Sequence, residues 1–426
     1  MTVGVIGAGM SGLATTHFLA SAGVEVQTFE ASDRPGGVVR SSTVDGRVLD
    51  HGPQRLRLSE PVASLVDEFD LRDDLRYGRD DQPLFAYFEG ELRPMPLSVG
   101  TALRTDLLSW RGKARILAEP LTGQARPGET VEEFLSRKFG TEASKRFMAP
   151  LYSGLYGTDP DEMYVEYSLE RALDHAGIEG SILLAVAKRL VEGVETPPIV
   201  TFEEGLDTLP RAMYDRYADR IALGTPVRTI ENAGDQYRIV TEETDRLVDS
   251  VVLATPAPAA ASLIEGVDQS TADTIDRFTY NPIGVVHLTS DFDRVGHGFH
   301  VIDDGFVTNG TTWNQSMLDR DRVFTAYVGS GDEAFLSRDE SEIGARAADE
   351  FETVTGSPAD VLSVDVLRPG MPAYDRSWTA LDGLSVPDGI HLCTNFTSRA
   401  GIVGRIADGR STVDSIVEER AAEGAE

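Results

Sequence analysis

A chain of 426 residues with 41% hydrophobic content is too long for one simple core and calls for two or three domains. Its net charge of −31, from 70 acidic and 39 basic residues, argues against nucleic acid as a partner and against docking on anionic lipid through basic patches. No apolar run is long enough for a transmembrane helix and no basic segment precedes an apolar one at the N-terminus, so neither a membrane span nor a secretory signal is expected and the location reads as cytoplasmic.

Lysine occurs only at positions 113, 138, 145 and 188, and the acidic residues are spread over the whole chain. That pattern reads as adaptation to molar salt, which screens the self-repulsion. The single cysteine, Cys393, excludes intramolecular disulfides and a CxxC redox pair; in its apolar run it reads as a buried, inert thiol.

In chain order, Val3–Ile6 reads as a buried strand, Gly7-Ala8-Gly9-Met10-Ser11-Gly12 as a loop, Leu13–Ala20 as a helix and Val24–Phe29 as a second strand ending at Glu30. This is a dinucleotide-binding unit of an α/β, Rossmann-like fold. Gly7 permits the tight turn, Gly9 lets backbone approach a pyrophosphate, and Gly12 lets helix pack on strand. The helix N-terminus offers free N–H groups and partial positive charge to the phosphates. Glu30, 18 residues beyond Gly12, is placed to accept from ribose hydroxyls.

A second Gly-Gly turn follows in Ala31-Ser32-Asp33-Arg34-Pro35-Gly36-Gly37, with Arg40 beyond it. This extended motif resembles the flavin-containing amine oxidase superfamily, which includes protoporphyrinogen oxidases and phytoene desaturases. The resemblance implies FAD, with the Gly36–Gly37 pair crossing its pyrophosphate and an Arg helping to neutralise it. Amine oxidases proper often have Arg directly after the Gly pair, where this chain has Val38. The porphyrinogen-oxidase form places it two further on, matching Arg40. Ser11, Ala31 and Arg34 fall within the same cofactor-binding stretches.

Leu49-Asp50-His51-Gly52-Pro53-Gln54 resembles the family's acid–x–Gly–Pro segment, which passes beside the isoalloxazine ring and implicates Gly52, Pro53 and Gln54. His51 reads as a structural histidine near the flavin, with a base as the alternative. Pro61–Asp70 predicts a helix, and Leu84–Pro96 a hairpin turning at Glu89-Gly90. Some porphyrinogen oxidases carry an Arg entering this hairpin that meets a substrate propionate; Gln82-Pro83-Leu84-Phe85 has none, a departure that weighs against a tetrapyrrole.

Residues 99–195 read as helical, with a capping box at Thr130-Val131-Glu132-Glu133. Phe147–Pro160 resembles the porphyrinogen-oxidase segment over the active site. Its Tyr152 and Tyr156 are candidates to line a pocket for a flat apolar substrate, with helix packing the alternative. Ser181–Val191 predicts an apolar amphipathic helix; in membrane-associated relatives this domain touches the bilayer.

Thr201–Leu209 resembles the return to the FAD domain. Thr225–Ile230 predicts a strand whose Val227 matches the position that meets the adenine end, and Leu253-Ala254-Thr255-Pro256 resembles a family signature that adds Ala254. Phe278–Leu288 lacks the Lys that monoamine oxidases place there, as porphyrinogen oxidases also do. Thr311–Asn314 and Phe324–Gly329 predict strands of a second, antiparallel sheet, with Trp313 and Tyr374 as further pocket candidates. Asn395 and the Gly401-Ile402-Val403-Gly404 helix opening resemble the family's second flavin-binding stretch, aimed at the N1/O2 edge. Cys393 lacks the surroundings of a flavin-linked cysteine, so non-covalent FAD is expected.

The resulting expectation is an FAD-binding domain from residues 1–82, 197–265 and 385–426, a helical substrate domain from 83–196 and a mixed-sheet substrate domain from 266–384. No Ser–His–Asp set, metal-ligand spacing or strong general base is apparent. The expected activity is hydride removal from a small apolar or cyclic nitrogen-containing molecule, in the manner of protoporphyrinogen oxidase. An amine oxidase or polyene desaturase and a non-oxidative mutase or isomerase are the alternatives.

Overall fold

A computed structural model describes residues 1–97, 99–178 and 180–423. Five parallel strands form one sheet, in the order Ile221–Ala222, Glu25–Phe29, Thr2–Ile6, Ser250–Leu253, Ile390–Leu392. Val3, Val5, Val251 and Val252 are all fully buried, as expected of a parallel sheet covered on both faces. The helix Met10–Ser21 is buried from Met10 to Leu19, because the sheet lies on one side and the C-terminal helix Ile402–Glu423 on the other. Ala14 and Gly409 let these two helices approach closely; a Cβ at Gly409 would stand 3.0 Å from the Ala14 methyl. The two ends of the chain therefore meet in one core.

A second sheet has seven strands, ordered Ala359–Pro372, Tyr280–Ser290, Val323–Val328, Thr308–Thr312, Gly298–Val301, Leu84–Phe88, Glu91–Pro94. It is mixed: Gly298–Val301 runs parallel to Leu84–Phe88 and the other pairs are antiparallel. The predicted hairpin is present, with Glu89 and Gly90 both in the left-handed region (φ 54° and 78°), as a type I′ turn requires. It forms the far edge of this sheet.

Side chains alternate across the seven strands. Phe85, Phe299, Phe324, Ala326 and Leu288 pack with Phe351, Ile343 and Ala347 of the helix Glu340–Thr355. The opposite face carries His300, Gly310, Tyr327, Val285 and Asp365, in register on adjacent strands. One face is core and the other is a polar floor.

Between residues 99 and 192 the described secondary structure is helical. Thr130 and Glu133 form the expected capping box, each side chain meeting the other's backbone N–H. The fully buried Lys138 ammonium donates to Glu119 at 2.9 Å, and Glu119 also accepts from Ser181 Oγ and the N–H groups of Ile182 and Leu183. That carboxylate holds the start of the helix Ile182–Glu192. Among the described residues no helix is long and apolar enough to cross a membrane.

Candidate active site

The glycine loop has the conformation that its spacing predicts. Gly7 is at φ 102° and its N–H donates to Phe29 O at 2.8 Å, turning the chain at the end of the first strand. A Cβ at Gly12 would lie 1.8 Å from Gly7 O, whereas one at Gly9 would meet no protein atom within 4 Å. Gly12 is thus required by helix–strand packing, and Gly9 borders open space. Gly36 N–H donates to Ala8 O at 2.8 Å, bringing the second Gly pair beside the first. Gly9 caps the helix without a side-chain hydrogen bond, leaving its first N–H groups for a ligand.

Glu30 accepts from Ala8 N–H at 2.6 Å and from Ser32 N–H and Oγ at 2.9 and 2.8 Å. Three of a carboxylate's roughly four acceptor positions are filled, leaving one for a ribose hydroxyl. Thr225 N–H bonds to Glu30 O, which brings Val227 alongside, and Ala254 N–H bonds to Ile6 O beneath the loop. Arg34 is half-buried beside Gly36. Asn395 accepts from Tyr280 OH at 2.6 Å, and Gly401 opens the C-terminal helix at Ile402.

The segment after Asp50 meets the polar floor. A Cβ at Gly52 would clash with Val38 O at 2.1 Å, so this glycine lets two loops touch. His51 is hydrogen-bonded on both ring nitrogens, to Asp365 Oδ2 and to Ser42 Oγ, each at 2.6 Å, and so is the satisfied structural histidine rather than a free base. Arg40 pairs with the other Asp365 oxygen. Burial works to raise the Asp365 pKa, but the hydrogen bond and charge of His51, with Arg40, outweigh it and hold the carboxylate below its usual range. His287, edge-on to His51 at 5.4 Å, contacts Thr325 Oγ1 at 3.0 Å; burial, then the charge of His51, pushes its pKa down to about 4. The ligand atoms of His51, His287 and Asp365 lie within 4.8 Å of one another, but the guanidinium already on Asp365 supplies the positive charge that a metal would bring. Gln54 accepts from Asn314 Nδ2 and Thr325 Oγ1 at 2.9 and 3.1 Å, extending the network.

Tyr152, Tyr156 and Tyr374 come together as expected, with ring centroids 6.0 Å apart for the first pair and 5.1 Å for Tyr156–Tyr374. Burial raises the pKa of all three, so they are neutral phenols. Tyr374 is held at φ 53°, a left-handed conformation that costs about 1–3 kcal/mol in a non-glycine residue. Asn281 fixes the helix Ala149–Tyr156 by donating to Tyr156 O and Thr158 Oγ1. Trp313 does not join this wall. The strand ends at Thr312, and Trp313 turns to the opposite face, fully buried against Phe85 and Phe292.

The family profile for flavin containing amine oxidoreductases matches residues 10–417. The chain belongs to that family. It is 28% identical over 383 residues to the chloroplastic protoporphyrinogen oxidase of Oryza sativa subsp. japonica, covering 80% of this chain and 72% of the relative. A solved structure from Exiguobacterium sp., carrying a provisional protoporphyrinogen oxidase name, superposes at TM-score 0.79 with 21% identity over 98% of this chain and 99% of its own. Cyclohexylamine oxidase from Brevibacterium oxydans superposes at 0.72 with 17% identity over 99% of each chain.

As a flavin-containing amine oxidoreductase the protein uses FAD, which supplies the hydride acceptor. The chain fits it: the glycine cradle admits no Cβ at Gly7 or Gly12, and Glu30 keeps an acceptor position. Arg405 was not foreseen from the sequence. It is buried on the C-terminal helix, paired with Asp408 at 3.3 Å and 3.5 Å from Ser11 Oγ, which puts a cation beside the first glycine loop. Cys393 is fully buried, and burial raises its thiol pKa to about 12, which keeps it unreactive.

Proposed function

We propose that this family member oxidises a porphyrinogen or a similarly flat, apolar, ring-nitrogen substrate, passing hydride to FAD, with dioxygen or another acceptor reoxidising the flavin. The observation that carries this is the 28% identity to a protoporphyrinogen oxidase over most of the chain. The wall of neutral tyrosines suits a flat apolar molecule. The floor strand Tyr280–Ser290 contains no lysine, in keeping with a substrate whose own nitrogen lone pair assists hydride loss. The parallel sheet and the cradle favour assembly of the FAD domain from 1–82, 197–265 and 385–426, around a non-covalently held cofactor. Anaerobic mixing with protoporphyrinogen IX, coproporphyrinogen III, an amine panel and a polyene is the test. The reading expects flavin bleaching by a porphyrinogen; bleaching by an amine or the polyene alone would overturn it.

The acidic composition supports a protein built for concentrated salt. Dilution below about a molar is expected to release FAD or unfold the chain, because Debye screening then no longer covers neighbouring acids. Full activity in dilute buffer would refute this.

The helical part carries a surface unlike the rest. Trp110, Leu121, Leu190 and Val191 are exposed, Leu121 and Val191 each at 88%. Arg111, Lys113, Arg115, Lys188 and Arg189 share these segments, and the nearby Glu119 is buried. Because molar salt screens the cations, and Lys188 stands 3.9 Å from the exposed Glu192, it is the apolar side chains that suit peripheral contact with a lipid surface, in keeping with the expectation that basic patches do not dock this chain. Co-flotation with phosphatidylglycerol vesicles, lost on Trp110→Ser with Val191→Ser, is expected; no flotation of the parent protein would end this reading.

A further inference from the structure

Three segments far apart in the chain converge on the hydroxyl of Tyr280. It accepts from Ala257 N–H at 3.2 Å and donates to Asn395 Oδ1 at 2.6 Å. Ala257 opens the helix Ala257–Ile264, so its N–H is one that a helix start leaves without an internal partner. Tyr280 opens the floor strand Tyr280–Ser290. Asn395 follows the strand Ile390–Leu392, at the same carboxyl end of the parallel sheet as the first glycine loop. There Cys393 N–H bonds to Leu253 O, and Ala254 N–H to Ile6 O. In an open parallel sheet that edge is where a nucleotide lies.

The phenol decides which way the Asn395 amide faces. A hydroxyl carries a single hydrogen, and with the amide turned the other way that hydrogen would have no acceptor among the described residues. Burial raises the Tyr280 pKa to about 12, so the hydrogen stays in place. Oδ1 is thereby taken. Nδ2 bonds to no described residue and keeps accessible surface on a half-buried side chain, so it is left as a donor. The backbone on both sides is held independently of this bond. Phe278 and Phe396 stack with centroids 5.0 Å apart, Phe278 meets Trp378 at 5.2 Å, and Thr394 Oγ1 accepts from Thr397 N–H at 3.3 Å. Loss of the Tyr280 hydroxyl would release the amide and leave these segments in place.

We propose that Tyr280 is a positioning residue, which turns the Asn395 amide so that its nitrogen donates to an acceptor oxygen of bound FAD. The proposal depends on the cofactor alone and not on the choice of substrate. FAD offers phosphate, ribityl and ring carbonyl oxygens, all of which accept. A carboxylate in place of the amide would accept from Tyr280 equally well, but it would present a second acceptor where the amide presents a donor. Tyr280 itself spends its oxygen on Ala257 and its hydrogen on Asn395, so it acts on the cofactor only through the amide.

The experiment titrates FAD into the apoprotein at high salt and pH 8, with free flavin read by ultrafiltration and apoprotein melting measured alongside. It compares the parent with Tyr280→Phe, Asn395→Ala, the double variant and Asn395→Asp. Tyr280→Phe and Asn395→Ala should each weaken FAD binding about five- to tenfold, the worth of one hydrogen bond. The double variant should bind no more weakly than Asn395→Ala alone, because the phenol works through the amide. Asn395→Asp should bind at least about tenfold more weakly than the parent. Losses that multiply in the double variant would make Tyr280 merely structural and overturn the proposal. So would parent-like FAD affinity in Tyr280→Phe, in Asn395→Ala or in Asn395→Asp. If Tyr280→Phe fails to fold, Asn395→Asp decides the matter, since it leaves the phenol and its bond to Ala257 intact.

Discussion

His51 and Asp365 meet at 2.6 Å although 314 residues separate them. The bond joins the loop after the hairpin Ser41–Asp50 to the long strand Ala359–Pro372, and so ties the glycine-rich nucleotide region to the polar floor. Arg40 completes the junction on the other carboxylate oxygen, so the cation expected at the cofactor pyrophosphate is engaged here with Asp365.

Asp365→Asn would leave His51 and Arg40 without their shared anion. The expected cost is about 2 kcal/mol, below the range for a fully buried pair because Arg40 is partly exposed. The native carboxyl pKa is depressed, so its contribution is complete above the unfolded value near 4 and is lost as pH falls through the lower folded value. Chemical denaturation should show a constant gap between parent and variant from pH 7 to about 4, closing only below that. A gap that closes by pH 5 would contradict the assignment.

His287 and His300 act in a different window. Both are held neutral, with pKa values pushed down to about 4 by burial, against about 6.5 in an unfolded chain. The unfolded state binds the extra protons, so their contribution is complete above pH 6.5 and declines as pH falls towards 4, by up to about 3 kcal/mol each. Denaturation at pH 7, 6, 5 and 4 should trace that slope, and His287→Gln should make it shallower, the remainder belonging to His300 and to His17 and His391, which burial also lowers. An unchanged slope in the variant would show that His287 titrates normally.

The glycine cradle, the capping box and the type I′ hairpin could be read from the sequence because each is decided within a few residues. Asp365 could not. It sits between Val364 and Val366 in an ordinary strand pattern, and its role comes from a partner on a distant loop. Trp313 was misplaced for a simpler reason. Strand alternation that puts Gly310 and Thr312 on the floor turns the next residue into the core.

Lys138 and Glu119 are a fully buried pair with further donors on the carboxylate from Ser181, Ile182 and Leu183. Lys138→Met strands that carboxylate and should cost about 3–5 kcal/mol. The loss should concentrate in the helix Ile182–Glu192, whose first turn is held by Glu119. Hydrogen exchange is expected to accelerate there while the parallel sheet stays protected. Uniform exchange across the chain would assign the pair a global role instead.

Two glycines five residues or fewer from Gly7 separate folding from cofactor binding. An alanine methyl at Gly12 would collide with Gly7 O, a backbone atom that cannot move without disturbing the first strand. Gly12→Ala should therefore lower the melting temperature of the apoprotein itself. At Gly9 the backbone is ordinary, with φ −70° and ψ −178°, and no protein atom is near. Gly9→Ala should fold as well as the parent, since alanine adopts this conformation without strain. The methyl would instead occupy the approach of the pyrophosphate, so FAD affinity should fall at least about tenfold, a loss of roughly 1.4 kcal/mol. Apoprotein melting and flavin titration of both variants decide the matter: Gly9→Ala binding FAD as tightly as the parent would mean that the pyrophosphate does not pass over this loop.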